Sequence, residues 1–350
     1  MTFRSISTHL RRTAAGPLRW NSVKRVCEIS RLNGRNPITT KHVLLGDIGA
    51  TNARFALLTD GALGPVTSLD VARFARFADA AAIFLKDQQV EISKAVFAVA
   101  GPVEGQRCVL TNCSWVVDQR ELYETFRLEA RIVNDFEAVA FSLPSLAAVD
   151  VVRIGDGKPK PGAPMAVLGP GTGLGVACLV PGAEKSIVVA SEGGHATLAG
   201  TCDREDAIIK QLHRRFGHVS AERVVSGDGL ENIHQAIVAL DGLELAPRSA
   251  ADITESALSG DCQVAHETLA IFCAFLGSFA GNIVLTFGAR GGAYVAGGIS
   301  PRILDFMARS EFRNRFEAKG RLRSYLETIP SCVIVHPAAA FLGLKSLAAF

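Results

Sequence analysis

A chain of 350 residues, 48% hydrophobic and 20% charged, can bury a substantial core and is long enough to divide into two domains. No segment reads as the run of about 20 apolar residues that crosses a bilayer, and the eight scattered cysteines, with no CxxC pair, argue against zinc and for reduced thiols in a cytosol-like compartment. Net charge is only +3 and its basic excess sits in the first 41 residues, so the remainder offers no basic face for nucleic acid.

Residues 1–41 hold nine Lys/Arg and one acid, Glu28, and are expected to be a disordered basic leader. Their Ser/Thr-bearing, acid-poor composition is that of an organellar transit peptide. A stretch translated upstream of the true start, or an arm that touches a polyanion, fits the same residues. No 7–15-residue apolar stretch marks a secretory signal. The segment also lacks hydrophobic periodicity, so its deletion should leave kcat and melting temperature nearly unchanged. A large loss of either would make it part of the fold.

Folded sequence begins near His42. Val43-Leu44-Leu45 reads as a strand running into Gly46-Asp47-Ile48-Gly49-Ala50-Thr51-Asn52, and Arg54–Leu58 reads as the strand that leaves it. A similar unit recurs about 120 residues on, as Ala166-Val167-Leu168, then Gly169-Pro170-Gly171-Thr172-Gly173, then Gly175–Val180. Between them lie strands at Ala95–Ala100 and Ile132-Val133, the second ending at Asn134-Asp135. A helix with apolar positions Phe136, Val139, Ala140 and Leu143 follows. Pro144 and the loop Gly155–Pro164 mark a hinge or linker. Downstream come a strand at Ser186–Ala190, a helix at Asp206–Phe216 and a long apolar helix over 264–287. A strand, Tyr294-Val295-Ala296, then enters Gly297-Gly298, and the strand Val333-Ile334-Val335 precedes an Ala/Leu-rich final helix. Strands alternating with helices, twice over, imply an α/β fold with internally duplicated mixed sheets.

Neither a P-loop nor a complete G-x-G-x-x-G occurs. What remains is a pair of glycine turns at strand ends. Each turn taken singly reads as a tight hairpin. Two facing each other could hold a polyphosphate through successive backbone N–H groups, with Thr51, Asn52 and Thr172 as added donors. Asp47 could organise Mg²⁺ through water, since Mg²⁺ prefers oxygen ligands and keeps several waters. Asp135 sits where a strand stops and a helix starts, as a helix cap would, and also as a base at the edge of a cleft would. Glu192 and His195, three apart in a Gly-bent loop, can converge on one small polyol. Cys202 stands alone after them, so no zinc cluster forms there. Glu222 is placed in the first turn of a helix capped by Ser220, where an acid is favoured by the dipole whatever its function.

Taken together and in order, these motifs resemble the bacterial-type glucokinase family from His42 to the end of the chain. Gly46–Asn52 and Gly169–Gly175 match its two phosphate loops, and Ala296-Gly297-Gly298-Ile299 its adenosine-contacting turn. Ala50 and Pro170 depart from the Gly and Ala frequent there, which stiffens each loop without removing a reactive side chain. The resemblance implies a two-lobed ribonuclease-H-like fold of the actin/hexokinase type. The small lobe would be 42–145 plus 335–350, and the large lobe 146–334. It implies ATP with Mg²⁺ as cofactors and glucose as the partner held by Asn112 (beside Thr111), Asn134, Asp135, Glu192, His195 and Glu222, with Asp135 as general base for the 6-hydroxyl. ATP is then expected against Gly46, Asp47, Ile48, Gly49, Ala50, Thr51, Asn52, Gly169, Gly171, Thr172, Gly173, Gly297 and Gly298. A cytoplasmic homodimer is implied as well, with organellar import through the leader left open. Two alternatives stand beside this: a kinase for another hexose or amino sugar, and a sugar-sensing regulator without turnover. The regulator carries a helix-turn-helix in the wider superfamily, and residues 1–41 are too short and irregular to supply one.

Overall fold

The run of buried residues Val43–Gly46 in His42–Ile48 (β1) marks a central strand covered on both faces, and it meets Asn52–Thr59 (β2) antiparallel across a tight turn at 49–51. The structure, a computed structural model, describes residues 41–348; the expectation for the basic leader otherwise lies outside them. Short strands Ala62–Leu63 (β3) and Thr67–Asp70 (β4) extend the β2 edge. Lys94–Val99 (β5) joins β1 in parallel. A small sheet of Val103–Glu104 (β6), Arg107–Val109 (β7) and Val116–Asp118 (β8) intervenes before Glu129–Asn134 (β9) pairs with β5 in parallel. Helices Phe77–Lys86 (α1) and Gln119–Phe126 (α2) flank this first sheet, and Asp135–Ser142 (α3) leaves the end of β9.

The second sheet repeats the first. Its strands are Val151–Ile154 (β10), Met165–Pro170 (β11), Leu174–Val180 (β12), Ile187–Ser191 (β13), Gly292–Val295 (β14) and Ser331–Ile334 (β15). Their order is β10-β15-β14-β11-β12-β13, with β11 antiparallel to β12 and parallel to β14, and β14 parallel to β15. An antiparallel hairpin followed by two parallel strands on its far side is the pattern of β2-β1-β5-β9. The duplicated mixed sheets expected from the sequence are therefore present. Between β13 and β14 lie Asp203–Phe216 (α4), Gly227–Leu240 (α5), Ala250–Ser259 (α6) and Gln263–Phe287 (α7). Leu304–Arg309 (α8), Phe312–Glu317 (α9) and Arg323–Glu327 (α10) precede β15, and Ala339–Leu347 (α11) closes the described chain.

Core residues divide accordingly. The largest cluster, with Phe272, Phe275, Phe312 and Phe316, packs helices α4–α7 on the second sheet. Phe55, Phe77, Phe97 and Trp115 fill one face of the first sheet, while Phe341 and Leu344 of α11 cover the other. A fourth cluster joins Ala140 and Leu143 at the end of α3 to Val167, Ala177 and Ile334 of the second sheet. Helix α3 is thus the packing bridge between the two sheets.

Two expectations need correction. Helix α7 is long and apolar enough to cross a membrane, contrary to the reading that no segment is such a run. Yet 78% of its most apolar window is buried, as in the core helix of a folded domain. Residues 221–225 form a turn rather than a helix, although Ser220 Oγ does accept the Arg223 amide at 3.4 Å as a cap would. The helix starts at Gly227, capped by Ser226, whose Oγ accepts the Gly229 amide at 3.0 Å.

Candidate active site

The first glycine turn is shorter than the motif that marks it. Gly46, Asp47 and Ile48 all belong to β1. Ile48 is fully buried, and a Cβ at Gly46 would lie 2.6 Å from the Phe97 ring, so these two residues serve packing. The turn closes through the Gly49 amide to Asn52 O at 3.0 Å, leaving half-buried Ala50 and exposed Thr51 at its tip. Asp47 stands opposite Arg54 in the hairpin register and pairs with it at 3.1 Å. Burial raises the Asp47 carboxyl above the ordinary carboxylate range, and Arg54 offsets this only in part.

The second turn is built around Glu222. Its Oε2 accepts the Leu174 amide at 2.8 Å and would lie 2.5 Å from a Cβ at Gly173, so glycine makes room for the carboxylate. The Glu222 amide in turn donates to Gly194 O at 2.9 Å, which ties this turn to the Glu192–His195 loop. His195 Nδ1 stands 3.9 Å from Glu222 Oε1, and its Nε2 stands 3.8 Å from Glu192 Oε2. These gaps exceed hydrogen-bond length. The three side chains thus stand beside one another without bonding, Glu192 and His195 largely exposed. The turn at 296–299 meets the same loop. Gly297 has φ +85°, and a Cβ there would lie 2.3 Å from Pro170 O, so both backbone conformation and close approach demand glycine. Around Gly171 the space is open, with nothing within 4 Å of an added Cβ.

Asp135 is the first residue of α3, and Asn134 is its cap. Asn134 Oδ1 accepts the Phe136 amide at 2.9 Å, and its Nδ2 donates to Gly101 O at 3.1 Å. The cap is therefore supplied without Asp135, whose Oδ1 shares the same amide at 2.9 Å. Burial pushes the Asp135 carboxyl up to about 7, aided by the Asp47 charge and, less, by Glu192, against the pull of the Phe136 and Asp135 amides. Two carboxylates from the ends of neighbouring structural units thus face one desolvated space. That arrangement suits a base working near neutral pH.

Two cavities flank the 296–299 turn. One, of about 410 Å³, is lined by Asp47, Arg54, Asp135, Gly297, Gly298 and His336 among others. The other, of about 830 Å³, is lined by Gly171, Thr172, Asp228, Glu231, Thr254 and Ile299 among others. The sequence reading missed the contributions of α5 and α6 to the second cavity, and Arg54 and His336 in the first. Arg54 had a signal, since a three-residue turn after Ile48 sets it across from Asp47. The rest depend on contacts far apart in sequence. Asn112 lies exposed on the β7–β8 turn, and among the described residues none of the other site side chains bonds to it. Among the described residues no cluster of three or more His, Cys, Asp or Glu is suited to a metal.

Comparison with known proteins gives a consistent picture. A family model described as Glucokinase matches residues 44–349. A curated glucokinase of Paramagnetospirillum magneticum is 44% identical over 313 residues, covering 87% of this chain and 97% of that protein. The crystal structure of a glucokinase from an Antarctic psychrotroph superposes with TM-score 0.79 at 34% identity, covering 88% of this chain and 98% of that one. A more distant structure, of a ROK family glucokinase from Streptomyces griseus in complex with glucose and AMPPNP, shares the fold with TM-score 0.59 at 18% identity and covers 87% and 98%.

Proposed function

The chain belongs to the glucokinase family, and from that premise we propose how its cleft carries out the family's reaction. The protein is an ATP-dependent kinase that transfers a phosphoryl group to the 6-hydroxyl of glucose, on the duplicated α/β fold of the actin/hexokinase class. One observation carries the assignment of roles: Asp135, raised to about 7, shares a desolvated space with Asp47 and feels the charge of Glu192.

The two sheets with their helices form two lobes, 42–145 with the described residues from 335 onward, and 146–334, that close over the substrates. Glucose lies between them, its ring hydroxyls held by Asn134, Glu192, His195 and Glu222, with Asn112 at the margin. ATP spans the two glycine turns, its adenosine toward Ile299 and the cavity between α5 and α6. Asp135 takes the proton from the 6-hydroxyl as the 6-oxygen bonds to the γ-phosphorus and the bond to the β-phosphate oxygen breaks, releasing ADP. Lobe closure excludes the water that would otherwise receive the phosphoryl group.

Mg²⁺ fits the donor set. Asp47, in the cavity wall beside Asp135, offers carboxylate oxygen to an ion that prefers oxygen ligands and keeps several waters. When bound, the ion would neutralise charge on the β- and γ-phosphoryl oxygens. We extend the reading to a cytosolic homodimer. The seven described cysteines, all free, support the compartment, and family likeness supports the assembly.

Two measurements test this. Steady-state ADP release with ATP and Mg²⁺ against a hexose panel should give glucose the highest kcat/KM; a higher value for mannose or glucosamine would move the substrate assignment. Gly171→Val tests the nucleotide loop. The open space there lets the variant fold, and the isopropyl group then occupies room needed by phosphates. ATP affinity should fall at least tenfold while glucose affinity holds. Equal losses for both ligands would remove this loop from the phosphate site.

A further inference from the structure

We propose that His336 contacts the triphosphate of ATP, its Nε2–H donating to a phosphate oxygen. The inference rests on the ATP-dependent reading above.

His336 lies in the crossing from β15 to α11, where the chain returns from the second sheet to the first. The Val335 and His336 amides both donate to Asp150 O, at 2.8 and 3.3 Å, which clamps this crossing to the segment just before β10. The ring is fixed as well: the Ala338 amide donates to Nδ1 at 3.1 Å. An Nδ1 that accepts must lack a hydrogen, so the neutral ring carries its hydrogen on Nε2. Among the described residues Nε2 has no protein partner, and it is not one of the buried atoms left without one. His336 is half-buried, and its Nε2 is a donor without a protein partner in a cavity wall.

The cavity's chemistry says what it would meet. Its wall bears two carboxylates, Asp47 and Asp135, and only two side-chain donors, Arg54 and His336. Arg54 gives one N–H to Asp47 at 3.1 Å and keeps its other donors, but as a charged group already paired with a carboxylate. His336 is the uncharged donor with no protein partner among the described residues, on the same wall as the backbone of Gly297 and Gly298. A triphosphate entering beside two carboxylates needs such a donor, and a neutral imidazole supplies one without adding a charge to be desolvated. With Nδ1 occupied and Nε2 protonated, the ring cannot take the 6-hydroxyl proton. It leaves that task to Asp135 and acts as a positioning group for the phosphates.

The two nitrogens can be tested apart. In His336→Asn the side-chain oxygen can stand in for Nδ1 and keep the Ala338 bond, while the Nε2 donor is lost. In His336→Gln the amide nitrogen reaches the Nε2 position, while the Ala338 bond is lost. The Asn variant should keep its melting temperature and glucose affinity and lose about 10- to 100-fold in kcat/KM for ATP. The Gln variant should melt earlier and keep most of that kcat/KM. Wild-type kinetics in the Asn variant, or loss of kcat/KM in step with stability in both, would overturn the proposal. A third readout needs no substitution: adding a non-hydrolysable ATP analogue to the glucose-bound wild type should shift the His336 Nε2–H resonance in nitrogen-resolved NMR, and no shift would refute the contact. Failure of the wild type to turn over glucose with ATP would sink the functional reading itself, an outcome separate from these.

Discussion

Asp135→Asn is expected to lower kcat by about 10²–10⁴-fold, equivalent to about 3–5 kcal/mol of barrier, while the glucose dissociation constant moves far less. Asparagine keeps the shape and can still accept the Phe136 amide, but it cannot accept the proton of a hydroxyl. Glu222→Gln should show the opposite balance, with weaker glucose binding dominating. Asp135→Asn also makes a prediction about stability. Because the native Asp135 carboxyl is raised from 3.8 to about 7, the folded protein holds this proton where the unfolded chain has lost it. Stability attributable to the group therefore falls as pH rises between about 4 and 7. Asparagine carries no such cost, so the variant should match wild type near pH 4 and melt higher than wild type above pH 7. A residue whose role was to cap α3 would behave in the reverse way and lose stability on substitution. In the wild type, kcat/KM should decline as pH drops below about 7, with the protonated fraction of Asp135. A flat profile from pH 5 to 8 would move the base to another carboxylate, with Glu192 the next to examine.

Much of the fold was legible because its signals are local. The strands either side of Gly49 and Gly171 are apolar runs broken by glycine. Their recurrence along the chain announced the duplication that the two sheets display. The Asn134-Asp135 step was legible as a strand-to-helix junction, but not the division of labour within it. Only the structure shows Asn134 taking the cap and tying itself to Gly101. Glu222 was read in a helix because Ser220 does cap a turn there. The helix begins later because Ser226 caps a second, longer register. His336 and the α5–α6 wall needed tertiary contact to reach the cleft, and no periodicity in their own segments reports that. Helix α3 was legible from Phe136, Val139, Ala140 and Leu143, but not its coverage on two sides, by α11 and by the hairpin of β11 and β12. One apolar stripe reports that a helix packs, not that it bridges two sheets.

That coverage makes Gly343→Ala the substitution expected to cost most in stability. A Cβ at Gly343 of α11 would lie 1.8 Å from Ala138 O and 3.1 Å from Ser142 N. Both are backbone atoms of α3, so no side chain can swing aside and the helices themselves must part. Glycine to alanine inside a helix ordinarily gains about 1 kcal/mol. Here overpacking should reverse the sign, giving a net loss of about 1–3 kcal/mol in urea unfolding. The displacement would also reach the chemistry. Helix α3 starts at Asp135, and the ring of Phe136 at its second position fills the space over Gly169 and Gly175 in the β11–β12 hairpin. Shifting α3 therefore moves Asp135, the proposed base, against the second glycine turn, and misplacement on the scale of an ångström costs about 10²-fold in rate. The expected result is a variant that is less stable and, per folded molecule, slower, although the substituted atom touches neither substrate. If Gly343→Ala instead stabilised the protein by its helix propensity and left kcat intact, the α3–α11 contact would be looser than drawn, and α3 would not be the rigid mount for Asp135.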